Sequence, residues 1–225
     1  FKEYENIHFC NSGSEANIRA LRVLRTVTNK KKIAMINGSW HGSVDNFMFD
    51  LNLKNKTFET GGLSFQKNDV VMLKYNNIEY SLNLLKKNRK KLAGLILEPI
   101  QASCPTKISE KYLYDIFKYC KKNNILVIFD EIITGLRAYD FTIFKKLNLK
   151  PDIITFGKIF GGGFPIGVCC IKNKLSSKLI KSKKKVFFGG TFSGNPFSSI
   201  TGLNTFKFIK KNKKKINNHI ENISN

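Results

Sequence analysis

The chain has 225 residues, with 39 Lys and Arg against 16 Asp and Glu and a formal charge of +23. That length suffices for one substantial α/β domain with its own core and excludes a miniature fold held together by staples. The charge alone would suggest nucleic acid or an anionic surface, but the excess is almost all lysine in short scattered runs, Lys30 to Lys32, Lys86-Lys87, Lys121-Lys122 and Lys183 to Lys185. It reads as compositional bias on solvated faces, so neither nucleic acid nor membrane is expected as a partner. The five cysteines, Cys10, Cys104, Cys120, Cys169 and Cys170, form no C-x-x-C pair and are odd in number, and no stretch reads as secretory or membrane-spanning. A reducing, cytoplasmic setting is expected, with Cys169-Cys170 as buried small hydrophobes and no metal site.

In chain order, Ile7 to Asn11 reads as a short strand running into Ser12-Gly13-Ser14-Glu15 and an amphipathic helix to about Val27. Gly13 and Ser14 then sit at a helix N-terminus, where free amides and the helix dipole favour an anion. Ser12 to Glu15 equally fits a capping box, and both can hold together. Ile33 to Ile36 is a second strand leading into Gly38-Ser39-Trp40-His41-Gly42. Residues 50 to 69 carry no sustained period and read as a loop near the site, of a length common in lids.

Val70 to Leu73 reads as a strand, Glu79 to Lys87 as a helix, and Leu92 to Leu97 as a buried strand ending in Glu98-Pro99. The repeated strand, helix, strand order is that of a parallel sheet. Ser109 caps an amphipathic helix to Lys122 with Leu113, Ile116, Phe117 and Cys120 on one stripe. Apolar runs at Ile125 to Phe129 and Ile153 to Phe156 flank a helix expected around Phe141 to Leu147. If these runs are neighbouring parallel strands, Asp130 and Lys158, 28 residues apart, project from one carboxyl edge, where open α/β sheets bind ligands. Gly161 to Gly163 leave room for a ligand, Pro165 to Ile171 supplies another strand, and Gly189-Gly190-Thr191 through Asn195-Pro196 precedes a helix from about Pro196 to Lys211.

Asp130-Glu131-Ile132-Ile133-Thr134-Gly135, the segment Pro151 to Lys158 before three glycines, Trp40-His41-Gly42, Glu98-Pro99 and Gly190-Thr191 through Asn195-Pro196 occur in the order found in class III aminotransferases, which this chain resembles along nearly its whole length. The resemblance implies the α/β/α large domain of a fold type I pyridoxal-phosphate enzyme, with a mostly parallel sheet flanked by helices. It implies pyridoxal 5'-phosphate as cofactor. The electron sink works only while the ring nitrogen stays protonated, which requires a carboxylate against it, and Asp130 is expected there. The aldehyde needs an amine for a Schiff base, and Lys158 is expected to supply it and then to move protons on the substrate carbon. Burial beside other cations would make that amine more available.

By the same resemblance Gly13 and Ser14 form half of a phosphate cup, Trp40 stacks on one ring face where the family usually has Tyr or Phe, and Ile132 covers the other. His41 accompanies Trp40 among the cofactor-binding residues, with a scaffold role alone as the alternative. Ile133 stands where ω-aminotransferases usually carry Gln, which puts the chain nearer the glutamate-1-semialdehyde 2,1-aminomutase branch; Thr60-Gly61-Gly62, shorter than that branch's gating segment, points away from the mutase reaction. Ser103 replaces the Asn or Glu that the family carries five residues beyond Glu98. Thr191 is expected to bond the cofactor phosphate of a partner subunit, which implies a homodimer. The expected activity is aminotransfer or aminomutation of a small amino or keto substrate. Family members are about twice as long, so residues 1–225 are expected to be a cofactor-binding large domain without the N-terminal segment and the C-terminal small domain. The alternative is a truncated or non-catalytic domain of this fold, acting as a binding or assembly module.

Overall fold

A computed structural model describes residues 2–48, 68–103, 105, 109–137 and 141–224. The seven strands are β1 (Asn6–Cys10), β2 (Lys32–Ile36), β3 (Val70–Leu73), β4 (Leu92–Leu97), β5 (Leu126–Asp130), β6 (Ile153–Gly157) and β7 (Gly167–Ile171). They form one sheet in the order β1-β7-β6-β5-β4-β2-β3. Strands β3, β2, β4, β5 and β6 run parallel, while β7 pairs antiparallel with both β6 and β1. The sheet is therefore mixed but mostly parallel, as the alternating pattern implied.

Every residue of β4, β6 and β7 is buried, which is why these strands read as unbroken apolar runs rather than alternations. Helices cover both faces. On one side Leu95, Leu97, Val127, Phe129 and Ile154 pack with α2 (Ile78–Asn88) and α3 (Glu110–Lys122) through Leu85, Leu113, Ile116 and Phe117. On the other side Met35, Ala93, Ile96, Ile128 and Ile153 pack with α1 (Gly13–Thr28) and α5 (Asn173–Ile180) through Ala20, Leu21, Leu24 and Leu175. Cys169 and Cys170 lie buried in β7, and both are free thiols, as expected of small hydrophobes.

Local chemistry sets the helix starts. Ser12 accepts from the Glu15 amide, Asn77 from Tyr80, Ser109 from Tyr112 and Asn195 from Ser198. The Glu15 carboxylate reaches the Asn11 amide instead of Ser12, so the box is displaced by one residue. Expected helix 141 to 147 contracts to α4 (Ile143–Lys146), because Phe141 has φ 71 and Thr142 is extended, which keeps both outside it. The N-terminal amide of Phe144 in that short helix is met by Glu131, a buried carboxylate whose other oxygen accepts from the Thr134 hydroxyl. Two further helices, α5 and α7 (Lys213–Ser224), form from segments that carried no helix expectation in sequence. Of the loop expected over 50 to 69, residues 50 to 67 lie outside the described residues, and Asn68-Asp69 forms a short 3-10 turn.

Helix α6 (Pro196–Lys211) seats against a 3-10 turn, Lys158–Gly161. Thr201 Oγ1 donates to Gly161 O at 2.8 Å, and a Cβ at Gly202 would run into the Phe160 carbonyl. A backbone carbonyl cannot step aside as a side chain can. Gly202→Ala is expected to lower stability by about 1–3 kcal/mol through this overpacking, read as a lower denaturation midpoint; an unchanged midpoint would contradict the close seating.

Candidate active site

The sheet topology brings five strand ends to one edge. Strand β1 delivers Gly13 and Ser14 through the first turn of α1, and β2 delivers Trp40 and His41. The ends of β4, β5 and β6 deliver Glu98, Asp130 with Ile132, and Lys158. A cavity of about 130 Å³ lies there, lined by Gly13, Ser14, Trp40, His41, Gly42, Glu98, Ile132, Ile133 and Lys158. A larger groove, about 740 Å³, lies at the opposite rim among Lys118, Lys121, Lys174 and Lys178. None of the candidate cofactor residues Gly13, Ser14, Trp40, His41, Asp130, Ile132, Lys158 and Thr191 lines it, so the chemistry favours the smaller cavity.

Parallel pairing of β5 with β6 sets Asp130, the last residue of β5, opposite Thr155, and β6 runs two residues further to Gly157 at the same edge. Lys158, the next residue, enters its turn with φ 50, a left-handed backbone that costs a residue with a Cβ roughly 1–2 kcal/mol. The neighbouring strand and α6 hold it there, and such strain collects at functional positions. The lysine is exposed at the cavity, contrary to the burial expected from sequence, because β6 ends at Gly157 and the turn carries the next residue over the rim.

Asp130 lies below the cavity wall and is almost fully buried. Its Oδ2 accepts from Asn17 Nδ2 at 2.7 Å and lies 2.8 Å from His41 Nδ1; its Oδ1 accepts from the Ile132 amide at 3.1 Å. Asn17 in turn donates to His41 O at 2.9 Å, and its Oδ1 accepts from Thr155 Oγ1 at 2.7 Å. One fully buried amide therefore ties α1, the loop after β2, β5 and β6 together. His41 is more than scaffold, since it orients the acid directly. Its Nε2 is buried without a partner among the described residues.

At the other end of the cavity the amides of Gly13 and Ser14 open the first turn of α1, beyond the reach of any intrahelical carbonyl. Gly42, at φ 106, folds so close that a Cβ would meet Ser14, and the Ser43 amide donates to Ser14 Oγ at 3.2 Å. Trp40 is 41% exposed on the cavity wall and so is no core residue. Ile132 lies beneath Gly13, whose added Cβ would be 2.6 Å from the isoleucine Cδ1. Ser103 turns its hydroxyl back onto the Gly38 carbonyl. Thr191 is exposed and does not line the cavity.

This arrangement has matches among known proteins. The family model for class III aminotransferases matches residues 1–225. The chain belongs to the class III aminotransferase family. Relatives of this class III chain include the glutamate-1-semialdehyde 2,1-aminomutase of Archaeoglobus fulgidus, 37% identical over 94% of this chain and 51% of that protein. The enzyme of the same name from Nitrosopumilus maritimus is 34% identical over 98% of this chain and 53% of its own length. Among solved structures, an omega-transaminase from Sphaerobacter thermophilus superposes with a TM-score of 0.83 at 26% identity, covering 92% of this chain and 50% of the other. The seven-stranded fold is thus that of the pyridoxal-phosphate-dependent transaminases. The class III chain spans about half the length of the relatives it matches. No helix among the described residues is long and apolar enough to cross a membrane.

Sequence reasoning named Lys158, Asp130 and the residues of the helix N-terminus, which the structure brings to one edge of the sheet, but gave no role to Asn17, Thr155 or Glu98. Glu98 accepts from the Trp40 amide at 2.9 Å while facing the cavity. Burial pushes its carboxyl up to about 7; Asp130 adds to the rise, while His41 and the amides of Trp40 and Ala102 oppose it. Glu131, more deeply buried, is likewise raised to about 7, chiefly by burial. With the folded value above the ordinary 4.5, the stabilisation from Glu98 is complete below about 4.5 and is lost as pH rises through about 7. Glu98→Gln is therefore expected to gain stability relative to the parent between pH 5 and pH 8.5, by on the order of 2 kcal/mol. Denaturation at the two pH values reads this, and a difference independent of pH would contradict it.

Proposed function

We propose that this chain is the cofactor-holding part of a pyridoxal-phosphate enzyme that moves an amino group between small molecules. The observation that carries the reading is the convergence of Lys158, Trp40, Ile132 and the free helix amides of Gly13 and Ser14 on one cavity above the buried Asp130. These residues fit the group. The helix N-terminus beside Gly42 offers a cup for a phosphate, and Trp40 and Ile132 offer two apolar walls for a flat ring. Asp130 offers a carboxylate for the ring nitrogen.

When bound, pyridoxal phosphate supplies an aldehyde that condenses with amines and a ring that withdraws electrons while its nitrogen is protonated. Asp130 would hold that proton, with Asn17, His41 and the Ile132 amide fixing the direction of its oxygens. Lys158 Nζ would engage the aldehyde and then carry a proton to and from the substrate carbon. Its turn is anchored through α6, so the amine swings from a fixed backbone. Trp40 and Ile132 would exclude water from the ring faces.

Within the family, the apolar Ile133 on the cavity wall supports an assignment near the aminomutase relatives, and a small amino or keto compound as substrate. A homodimer is proposed as the active unit, with Thr191 reaching the partner's phosphate. The exposed apolar side chains on α6, Phe197, Ile200, Leu203 and Phe208, support a covering partner. The four cysteines among the described residues are buried free thiols, which supports a reducing, cytoplasmic location.

The test uses the full-length protein loaded with pyridoxal phosphate, reduced with borohydride and mapped by mass spectrometry. The tag is expected on Lys158 and nowhere in Lys158→Ala. Turnover is expected with glutamate-1-semialdehyde alone or with an amino donor and keto acceptor pair, the pair-only result assigning an aminotransferase. A tag on another residue, or cofactor uptake with no turnover of any amine, would overturn the proposal.

A further inference from the structure

We infer that Arg19 is a positioning residue that sets the Gly189–Ser193 loop in the shape that presents Thr191 outward; the inference rests on the proposed role of Thr191 at a partner's phosphate site. Arg19 lies on the second turn of α1 and is 4% exposed. Its guanidinium has no carboxylate partner among the described residues. NH1 donates to Phe9 O at 2.7 Å, and NH2 donates to Gly189 O at 3.0 Å and to Ser193 Oγ at 3.3 Å.

A buried cation held only by neutral oxygens is costly unless each bond is made. Removing any of its acceptors leaves charge unsatisfied, so the cation enforces the loop geometry rather than merely tolerating it. The two loop acceptors, Gly189 and Ser193, flank Thr191 by two residues on either side, so the guanidinium pins both feet of a five-residue arch whose crown is Thr191. The arch closes on itself through Ser193 N to Gly190 O at 3.0 Å and Asn195 N to Phe192 O at 3.2 Å. Just before it, Phe188 stacks on His8 with ring centroids 3.6 Å apart, fixing the approach to the first foot.

The third acceptor ties the same cation to β1, whose chain runs on into the Gly13-Ser14 turn. One side chain thus couples the loop that would serve a partner's phosphate to the helix that would hold this chain's own. A planar fork with several fixed donors can span three oxygens on separate segments, which a lysine cannot. A solvated arginine beside the loop would do none of this.

The experiment measures pyridoxal phosphate affinity of the full-length protein by titration for the parent, Arg19→Met, Thr191→Ala and the double variant, with sedimentation to record the oligomer. Arg19→Met and Thr191→Ala are each expected to weaken binding by about tenfold, and the double variant by little more than either alone, since contacts in one network are not additive. Ser193→Ala, which removes one acceptor and leaves the bonds to Phe9 and Gly189 in place, should weaken binding about twofold and also lose its effect in the Thr191→Ala background; it serves in place of Arg19→Met if that variant does not fold. If Thr191→Ala weakens binding but Arg19→Met and Ser193→Ala do not, or if the losses multiply, the positioning role is overturned and the Thr191 reading stands. If Thr191→Ala leaves affinity unchanged, the Thr191 reading fails and the inference falls with it.

Discussion

A carboxylate carried into the interior of a sheet must find donors, and Asp130 finds three, from a helix, a loop and the backbone two residues on. That requirement organises much of the molecule. Asn17 can reach the acid only if α1 crosses the sheet at the level of β5 and β6, and its carbonyl oxygen then takes the Thr155 hydroxyl opposite Asp130. His41 can reach it only if the chain turns sharply after β2, which Gly38 and Gly42 permit with φ 81 and 106. Both Asn17 and His41 address Oδ2, leaving Oδ1 with the Ile132 amide as its only partner among the described residues. The acid is aimed by its surroundings before any ligand arrives, which is the preorganisation that electrostatic catalysis needs.

The same economy of position governs the neighbouring elements. Glu131, adjacent in sequence to Asp130, points away and caps α4, so two consecutive acids serve unrelated ends. Lys158 is kept in a left-handed turn by the strand before it and by α6 behind it, where Gly202 lets two backbones touch. Positions proposed to carry chemistry here are held by groups far away in sequence and close in space. This is why a loss at Gly202, Asn17 or Arg19 would be felt at a cavity none of them lines.

Much of this was legible beforehand because the signals are local. Apolar runs ending in Asp130 and Gly157 gave two parallel strands with their chemistry at one rim, and Ser12-Gly13-Ser14-Glu15 gave a helix start with open amides. What stayed hidden depends on pairs more than a hundred residues apart, such as Asn17 with Asp130 and Arg19 with Gly189, which no periodicity encodes. The exposure of Lys158 was missed because an apolar run shows where a strand lies but not how far its last residue overhangs the rim. Helices α5 and α7 were missed because α5 is only eight residues long and α7 is dominated by lysine and asparagine, and α4 was overdrawn because Phe141 leaves the helical region without a glycine or proline to announce it.

The central claim is that Asp130, held by Asn17 and His41, keeps a proton on the ring nitrogen of the cofactor engaged by Lys158. It is tested most directly by nitrogen NMR of the full-length protein loaded with pyridoxal phosphate labelled at the ring nitrogen. The account predicts a protonated nitrogen well above neutral pH in the parent, and loss of that proton in Asp130→Asn while borohydride still tags Lys158. A deprotonated ring nitrogen in the parent, or one whose protonation is indifferent to Asp130→Asn, would contradict it.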